Sequence, residues 1–176
     1  MNKKHWNLLV PTQLASLPLP QQYATFALAY LDSAQRLCGV LARSHRKATF
    51  ERGAVVHYLA AHSIELFLKG AILRRAAAEK LTHDLDHLHK RYKKLYPEKR
   101  YKLENPFQTN YPDGMSSADK RMLKALTPPT DQLFRYPNDR DGNPWIGAQG
   151  IQANLYQQRL TTLRQEFEHL LIAYDS

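Results

Sequence analysis

Three polar side chains interrupt an apolar stretch near the middle of the chain. His62, Glu65 and Lys69 lie at positions i, i+3 and i+7, so on a helix all three project from the same side. Glu65 and Lys69 form an i, i+4 pair in the orientation that stabilises a helix. Either this pair closes a partly exposed helix edge, or Glu65 caps a neighbouring helix end, or the two charges recognise a polar ligand or partner from a low-dielectric position. The residues alone leave these interpretations open.

A second polar cluster is the segment Thr82-His-Asp-Leu-Asp-His-Leu-His89, which places His83 and His87 one helical turn apart. Zinc sites need three or four convergent ligands. His89 lies roughly 200° around the helix from His87 and does not converge with it. We therefore expect no bound metal and no other cofactor. The pattern favours His83 and Asp84 at the start of a helix, as capping residues and as candidate binding residues.

Arginine and histidine together could bind or cleave RNA, because arginine holds phosphate through bidentate contacts and histidine is an acid or base near neutral pH. Arg52 and His57 are the candidate catalytic pair, although positions one and a half turns apart on a helix converge only with help from a second chain. Arg135 and Tyr136, in a proline-rich stretch, are candidate binding residues. Phosphate-loop, dinucleotide, nucleophile-elbow and cysteine-rich zinc signatures are absent from the sequence, which argues against the enzyme classes that depend on them.

The charge of the chain points to an anionic partner. The formal net charge is +9, and residues 80 to 102 hold eight Lys and Arg against three Asp and Glu. Summed positive charge steers nucleic acid or acidic proteins towards a surface without giving specificity. The predicted basic surface consists of Lys90, Arg91, Lys93, Lys94, Lys99, Arg100 and Lys102.

The elements that must position these side chains are helices. Apolar residues recur at helical spacing from Tyr23 to Leu41, which predicts an amphipathic helix. The stretch from about residue 52 to 76 is apolar on every side, as in a helix at the middle of a bundle. Thr82 is the expected N-cap of a third helix, which Pro97 stops.

Two further helices are predicted towards the C-terminus. Ser116 as N-cap, with Asp119 three residues later, predicts a short helix that ends before Pro128. A long proline-rich loop follows over residues 128 to 148. The last helix is expected from about Gln149, with its inward face formed by Ile151, Leu155, Leu163, Phe167, Leu170, Leu171 and Tyr174.

These segments predict an all-α protein, an antiparallel up-and-down bundle of four long helices plus a short extra helix and one long proline-rich loop. We expect residues 1 to 20 to be a lead-in that packs on the bundle and residues 21 to 176 to be the helical domain. A single cysteine, Cys38, no apolar run of about 18 residues and no continuous signal-peptide core indicate a cytoplasmic protein that does not enter a membrane.

Three segments carry a resemblance to a known family: His62-Ser-Ile-Glu-Leu-Phe-Leu-Lys-Gly-Ala-Ile-Leu73, Thr82-His-Asp-Leu-Asp-His-Leu88 and Leu133-Phe-Arg-Tyr-Pro137. The chain resembles the HEPN superfamily of prokaryotic helical-bundle proteins over about residues 20 to 174. In that family a Glu-x-x-x-Lys central helix precedes a Gly/Thr-His-Asp-Leu helix start, and many members have an Arg-Tyr-Pro loop.

The resemblance implies a helical bundle that dimerises and acts in one of two ways. Members are metal-independent RNases, as in toxin–antitoxin and defence systems, or they bind a nucleotide or a substrate as partners of small nucleotidyltransferases. Active RNases carry an Arg and a His four to six residues apart near the start of the last long helix, and residues 145 to 158 here have no such pair. Arg52 and His57 have the spacing but lie on a different helix.

Three hypotheses follow for the function. The first is a non-catalytic HEPN-like binding module, a homodimer that recognises a nucleotide, RNA or a partner protein through the basic surface and the polar edge of the central helix. The second is a divergent RNase in which Arg52 and His57, or the loop with Arg135, replace the missing motif. The third is a structural or regulatory helical protein whose basic charge serves solubility.

Overall fold

A computed structural model describes residues 12–107, 113–126, 134–138, 142 and 152–175. The described residues form helices joined by turns, without an extended strand, which confirms the prediction of an all-α protein for this part of the chain. The helices are α1 (Thr12–Ala15), α2 (Leu19–Arg43), α3 (Phe50–Arg75), α4 (Leu85–Leu95), a 3-10 turn (Lys99–Tyr101), α5 (Ser117–Leu126) and α6 (Ala153–Asp175). None of these helices is both long enough and apolar enough to cross a membrane.

Helix α2 begins four residues before the predicted start at Tyr23. Pro18 is its N-cap residue and Pro20 lies in its first turn, where a missing N–H costs nothing because those donors have no partner inside the helix. The helix therefore begins within the predicted lead-in of residues 1 to 20; residues 1–11 lie outside the described part. One stripe of α2 is buried, formed by Ala27, Leu31, Ala34, Cys38 and Leu41.

Helix α3 is the centre of the core, as its all-round apolar pattern predicts. It is buried against α2 on one side, where Ser63 Oγ donates a hydrogen bond to the carbonyl of Ala27 at 2.7 Å. At Gly70 the two helices approach so closely that an added Cβ would lie 2.8 Å from the carbonyl oxygen of Pro20. Because later residues of α3 meet earlier residues of α2, the two helices are antiparallel.

Helix α6 packs on both α2 and α3. Gln35 donates to the carbonyl of Leu160, and the thiol of Cys38 contacts the carbonyl of Ala153, so α6 is antiparallel to α2. Phe67 and Phe167 stack with ring centroids 3.9 Å apart at the centre of the core. The predicted inward face of α6 is confirmed at Leu163, Phe167 and Leu170, which are buried.

The prediction for Leu155 is wrong, because its side chain is 57% exposed in the first turn of α6. Leu155 shares the helical period of the inward face, but at this end α6 packs through Ala153, which contacts Cys38 of α2, and through Tyr156, which stacks on His57 of α3. The predicted inward residue Ile151 and the predicted start at Gln149 lie outside the described residues.

Helix α4 runs in the same direction as the second half of α3. His83, just before α4, lies at Glu65, whereas the hydroxyl of Tyr96, just after α4, donates to the carbonyl of Ala71 at 2.8 Å. The chain therefore returns along α3 through residues 76–84 before α4 begins. These contacts do not describe a strict up-and-down alternation, and α4 is too short to be a fourth long helix.

The expected N-cap Thr82 does not cap α4. Asp84, also a predicted capping residue, is the N-cap and accepts a hydrogen bond from the backbone N–H of His87 at 3.0 Å. At α5 the predicted capping pair is confirmed: Ser116 Oγ accepts from the backbone N–H of Asp119 and donates to its carboxylate. Of the predicted loop over residues 128 to 148, only residues 134–138 and 142 are described.

Candidate functional site

Glu65 is buried on α3, and its carboxylate has three polar neighbours. One carboxylate oxygen accepts a hydrogen bond from Lys69 Nζ at 2.6 Å and lies 2.9 Å from His83 Nδ1. The other oxygen lies 3.6 Å from His62 Nδ1. Glu65 and Lys69 are 5% and 6% exposed, whereas the side chain of His83 is 76% exposed. The structure thus brings three predicted binding residues, His62, Lys69 and His83, together around the carboxylate of a fourth, Glu65.

The contacts of Glu65 fix its charge. Burial raises the pKa of this carboxyl, but its interactions with His62 and Lys69, including the positive charge of Lys69, outweigh burial and lower the pKa to about 2. The ionised carboxylate only accepts hydrogen bonds, so His83 Nδ1 must carry the proton of its contact with Glu65. This tautomer leaves Nε2 of the exposed His83 ring to meet a ligand.

An aromatic stack continues from His62 towards the N-terminal end of α3. The His62 ring lies nearly parallel to the ring of Tyr58, with centroids 5.8 Å apart and planes at 6°. The ring of Tyr30, from α2, meets His62 edge-on at 4.6 Å. Tyr58, His62, Glu65 and Lys69 therefore line one side of α3 without a break.

Arg135 joins this side of α3 from the proline-rich stretch. Its guanidinium lies 5.9 Å from the ring centroid of Tyr58 and 5.6 Å from that of Tyr136, within the range of a cation–π interaction. Arg135 and Tyr136 are both exposed. We call these six neighbouring residues, of which Glu65 and Lys69 are buried, the polar row: Tyr58, His62, Glu65, Lys69, His83 and Arg135.

Asp84, a predicted binding residue, is not part of the polar row but fixes the turn that carries His83. Its carboxylate caps α4 as described above, and its backbone N–H donates to Thr82 Oγ1 at 3.1 Å. These two hydrogen bonds fix the turn that enters α4. Since His83 is the residue immediately before the cap, the same turn orients its ring towards Glu65.

His57, one candidate catalytic residue, is enclosed by aromatic rings. It stacks between Phe134 at 4.7 Å and Tyr156 at 4.2 Å, and Phe107 meets it edge-on at 5.9 Å. Among the described residues its Nδ1 has no hydrogen-bond partner. Burial lowers the pKa of His57 to about 4, so the ring is neutral at pH 7.

Arg52, the other candidate catalytic residue, is exposed in the first turn of α3, where its Nη1 donates to the carbonyl of Lys47 at 3.4 Å. None of the described contacts joins Arg52 to His57. A ring stacked on both faces and neutral at pH 7 is poorly suited to donate a proton in RNA cleavage. Within the described part of the chain, the two residues do not form a site.

The predicted basic surface lies on α4 and the segment after it. Lys90, Lys93, Lys94, Lys99, Arg100 and Lys102 are exposed. Arg91 is partly buried and forms a bidentate pair with Glu79 at 2.9 and 2.8 Å, so its guanidinium is already engaged. The cations available to an anionic partner are therefore the exposed ones.

The histidines of the α4 region serve different roles. His89 is buried, and its Nε2 lies 2.9 Å from the carbonyl of Leu103; burial lowers its pKa. Because a carbonyl only accepts, Nε2 of His89 donates this bond. In the described part of the chain, no group of three or more His, Cys, Asp or Glu side chains is arranged to hold a metal ion.

Two members of this site were not found from the sequence, Tyr58 and Tyr30. Tyr58 precedes His62 by one helical turn, which is a signal that the pattern offered, because i, i+4 residues on a helix are neighbours. No local signal links Arg135 to Tyr58, or Tyr30 to His62, since these pairs come from different parts of the chain and depend on how the helices pack.

Comparison of the chain with protein-family models, with curated proteins and with solved structures finds no match.

Proposed function

We propose that this protein is a non-catalytic, HEPN-like helical binding module that recognises a nucleotide-bearing ligand, with single-stranded RNA as its macromolecular form. The observation that carries the proposal is the convergence of Lys69, His62 and His83 on the ionised carboxylate of Glu65, beside Tyr58 and Arg135. The three sequence segments that carry the family resemblance contribute to this one surface.

The exposed end of the polar row offers the chemistry that a nucleotide needs. Arg135 presents a guanidinium, which binds phosphate through bidentate hydrogen bonds. Tyr136, 52% exposed, and the partly exposed rings of Tyr58 and His62 offer faces on which an unpaired base stacks. A cation beside aromatic rings is a common arrangement in proteins that bind single-stranded nucleic acid.

The buried end of the polar row positions the exposed end. Glu65 accepts from His83 Nδ1 and so fixes which nitrogen of that ring faces a ligand. Lys69 neutralises Glu65 at 2.6 Å, which keeps the net charge of the row positive when Arg135 is counted. In this proposal Glu65 and Lys69 are positioning residues, while Arg135, His83 and Tyr58 contact the ligand.

A homodimer belongs to the same proposal, and a small nucleotidyltransferase is the alternative partner. Phe26, on α2, is 48% exposed, one turn before Tyr30 of the site. A second copy of the chain that covers this edge would bring two polar rows together. Light scattering on the eluting peak of a gel-filtration column measures the mass directly, and a monomer at all concentrations would remove the dimer from the proposal.

Binding of labelled single-stranded RNA, followed by fluorescence anisotropy over a series of salt concentrations, tests the proposal. We expect Arg135→Ala to weaken binding about tenfold, because a cation and its stacking contribution are lost. The slope of log K against log salt should also become less steep by about 0.7, the value for one phosphate contact on a single strand. His83→Ala should weaken binding without this full change of slope.

Arg36→Ala is the matched control, because Arg36 is 80% exposed on α2 and pairs with Asp32 outside the polar row. It removes the same charge and should leave the affinity within about twofold. Equal losses in Arg36→Ala and Arg135→Ala would mean that only overall charge matters, which contradicts recognition at the polar row. Absence of binding to RNA and to mononucleotides would contradict the function as a whole.

A further inference from the structure

A second concave surface lies between α4, the segment 102–106 and α6, and it shares no residue with the polar row. It is a groove of about 360 Å³, which is in the range of small-molecule sites. Its charged lining consists of Lys93, Lys102, Arg159, Glu104 and Glu166. We call it the α4–α6 groove. Lys93 and Lys102 also belong to the basic surface, so the groove adjoins that surface.

The cations of the groove come from three different elements. Lys93 lies on α4, Lys102 follows the 3-10 turn, and Arg159 lies on α6. Lys102 Nζ pairs with Glu104 at 3.0 Å, and Arg159 is close enough to lower the pKa of the Glu104 carboxyl, after the larger contribution of Lys102. Three cations against two carboxylates leave the groove with a positive surplus, which suits one phosphate group.

Glu166 is the carboxylate with unused hydrogen-bonding capacity. It is partly buried, and among the described residues it accepts one long hydrogen bond, from the backbone N–H of Glu104 to Oε2 at 3.4 Å. Burial raises the pKa of its carboxyl, although the Glu104 N–H acts in the opposite direction. A carboxylate has about four acceptor positions. Ligand N–H donors would satisfy those that the protein leaves open.

The remaining wall of the groove is uncharged. It includes Leu103 and Leu163, which are 2% and 3% exposed, together with Pro106 and the polar side chains of Asn105 and Thr162. His89, with its lowered pKa, donates Nε2–H to the carbonyl of Leu103 and adds no charge at pH 7. The groove therefore combines a cationic rim, an uncharged wall that includes two leucines, and one carboxylate with open acceptor positions.

Guanine fits these three features best among the common bases. Its Watson–Crick edge presents two adjacent N–H donors, from N1 and N2, and these match the two oxygens of a carboxylate in the manner of a bidentate pair. Adenine and cytosine each present one amino group beside an acceptor nitrogen, which would face the carboxylate unfavourably. Uracil presents a single N–H between two carbonyl groups.

We propose that the α4–α6 groove binds a guanosine phosphate, with Glu166 accepting from N1 and N2 of the base and with Arg159, Lys93 and Lys102 holding the phosphate. The ligand is a free guanosine nucleotide or a guanosine within single-stranded RNA. This proposal rests on the proposed function for its nucleotide chemistry, and it assigns base selectivity to a surface separate from the polar row.

Calorimetric titration of the full chain with GMP, IMP, AMP and UMP tests the groove. We expect GMP to bind most tightly and IMP, which lacks the N2 amino group, more weakly. Glu166→Gln should weaken GMP binding about tenfold, since one bidentate charge-assisted contact is lost. Glu168→Gln is the matched control, because Glu168 lies on the same helix, pairs with Arg164 and does not line the groove. It should leave GMP affinity unchanged.

Arg159→Ala is a second variant that does not depend on how Glu166→Gln folds, because Arg159 is exposed. It should weaken GMP and IMP by the same factor, since it acts on the phosphate. Equal affinity for the four nucleotides, or unchanged GMP binding in a folded Glu166→Gln variant, would overturn the proposal. An oligouridylate with one guanosine, compared with the same strand carrying one adenosine, separates the two sources of the ligand.

The two proposals fail in different measurements. GMP binding that persists in Arg135→Ala, together with no RNA binding by the wild type, would support the groove and overturn the RNA function. RNA binding that requires Arg135, together with no discrimination among mononucleotides, would support the function and overturn the groove.

Discussion

The substitution Glu65→Gln removes the negative charge at the centre of the polar row and keeps the size of the side chain. A carboxyl whose pKa falls from 4.5 to about 2 on folding stabilises the folded state by about 3 kcal/mol at neutral pH. The substitution also leaves the ammonium of Lys69, 6% exposed, without its anionic partner. An unpaired buried charge costs about 3 to 5 kcal/mol. Both figures describe one interaction, so we expect a loss of about 3 kcal/mol.

The pH at which this contribution disappears identifies its source. The pKa of Glu65 is lowered by folding, so its stabilisation is present above the unfolded value of 4.5 and is lost as the pH falls towards about 2. The wild type should therefore approach the stability of Glu65→Gln in acid, and the gap between them should be widest near neutral pH. Urea unfolding followed by far-UV circular dichroism at several pH values gives the free energy of unfolding for both proteins.

Glu168→Gln also serves as the control for this experiment. Glu168 forms an exposed i, i+4 pair with Arg164 at 2.9 Å, and such pairs contribute about 0.3 to 0.5 kcal/mol. A Glu65→Gln variant within about 0.5 kcal/mol of the wild type at neutral pH would refute the argument for a buried, paired carboxylate. A gap that stays constant as the pH falls from 4.5 would refute the assigned pKa.

Two further predictions concern the core around the site. Folding lowers the pKa of His57 from 6.5 to about 4, so the unfolded chain takes up a proton that folded His57 does not bind. This difference should reduce the free energy of unfolding of the wild type by about 3 kcal/mol as the pH falls from 6.5 to 4. Urea unfolding of His57→Leu should lack this contribution. Gly70→Ala should destabilise the protein by about 1 to 2 kcal/mol, because the steric cost of placing a Cβ against the backbone of α2 exceeds the gain in helix propensity. Gly39→Ala, whose Cβ meets only flexible side-chain ends, should be neutral or stabilising, and thermal unfolding compares the two.

The features that sequence predicted well are those set by neighbours along the chain. The all-round apolar pattern identified α3 as the central helix, and Ser116 with Asp119 identified the start of α5, because periodicity and capping are local. Thr82 and Asp84 are both good N-cap residues two positions apart. The choice between them depends on where the chain returns to α3, so the sequence left both as candidates.

The features that sequence could not predict arise from packing between distant segments. Helical spacing placed His62, Glu65 and Lys69 on one side of α3, but it could not show that His83 would meet Glu65, because this contact requires the chain to return along α3 before α4 begins. The cation–π contact of Arg135 with Tyr58 likewise depends on the path of the proline-rich stretch. Leu155 shows the converse error, since an apolar residue in phase with a buried face is exposed where the neighbouring helix does not cover it.

Stability alone does not explain why the most buried helix of this protein carries Glu65 and Lys69. Removing two charges from water costs several kcal/mol for each ion, and replacing a buried ion pair by apolar residues of similar size is often neutral or stabilising. The pair is well satisfied here, by a 2.6 Å hydrogen bond within it and by two histidines beside it. What the charges add, and leucines would not, is a fixed orientation for the exposed ring of His83 and an edge of α3 that stays polar beside Arg135. The cost of burying them supports recognition as the role of the polar row, because violations of core packing that carry no gain in stability concentrate at functional sites.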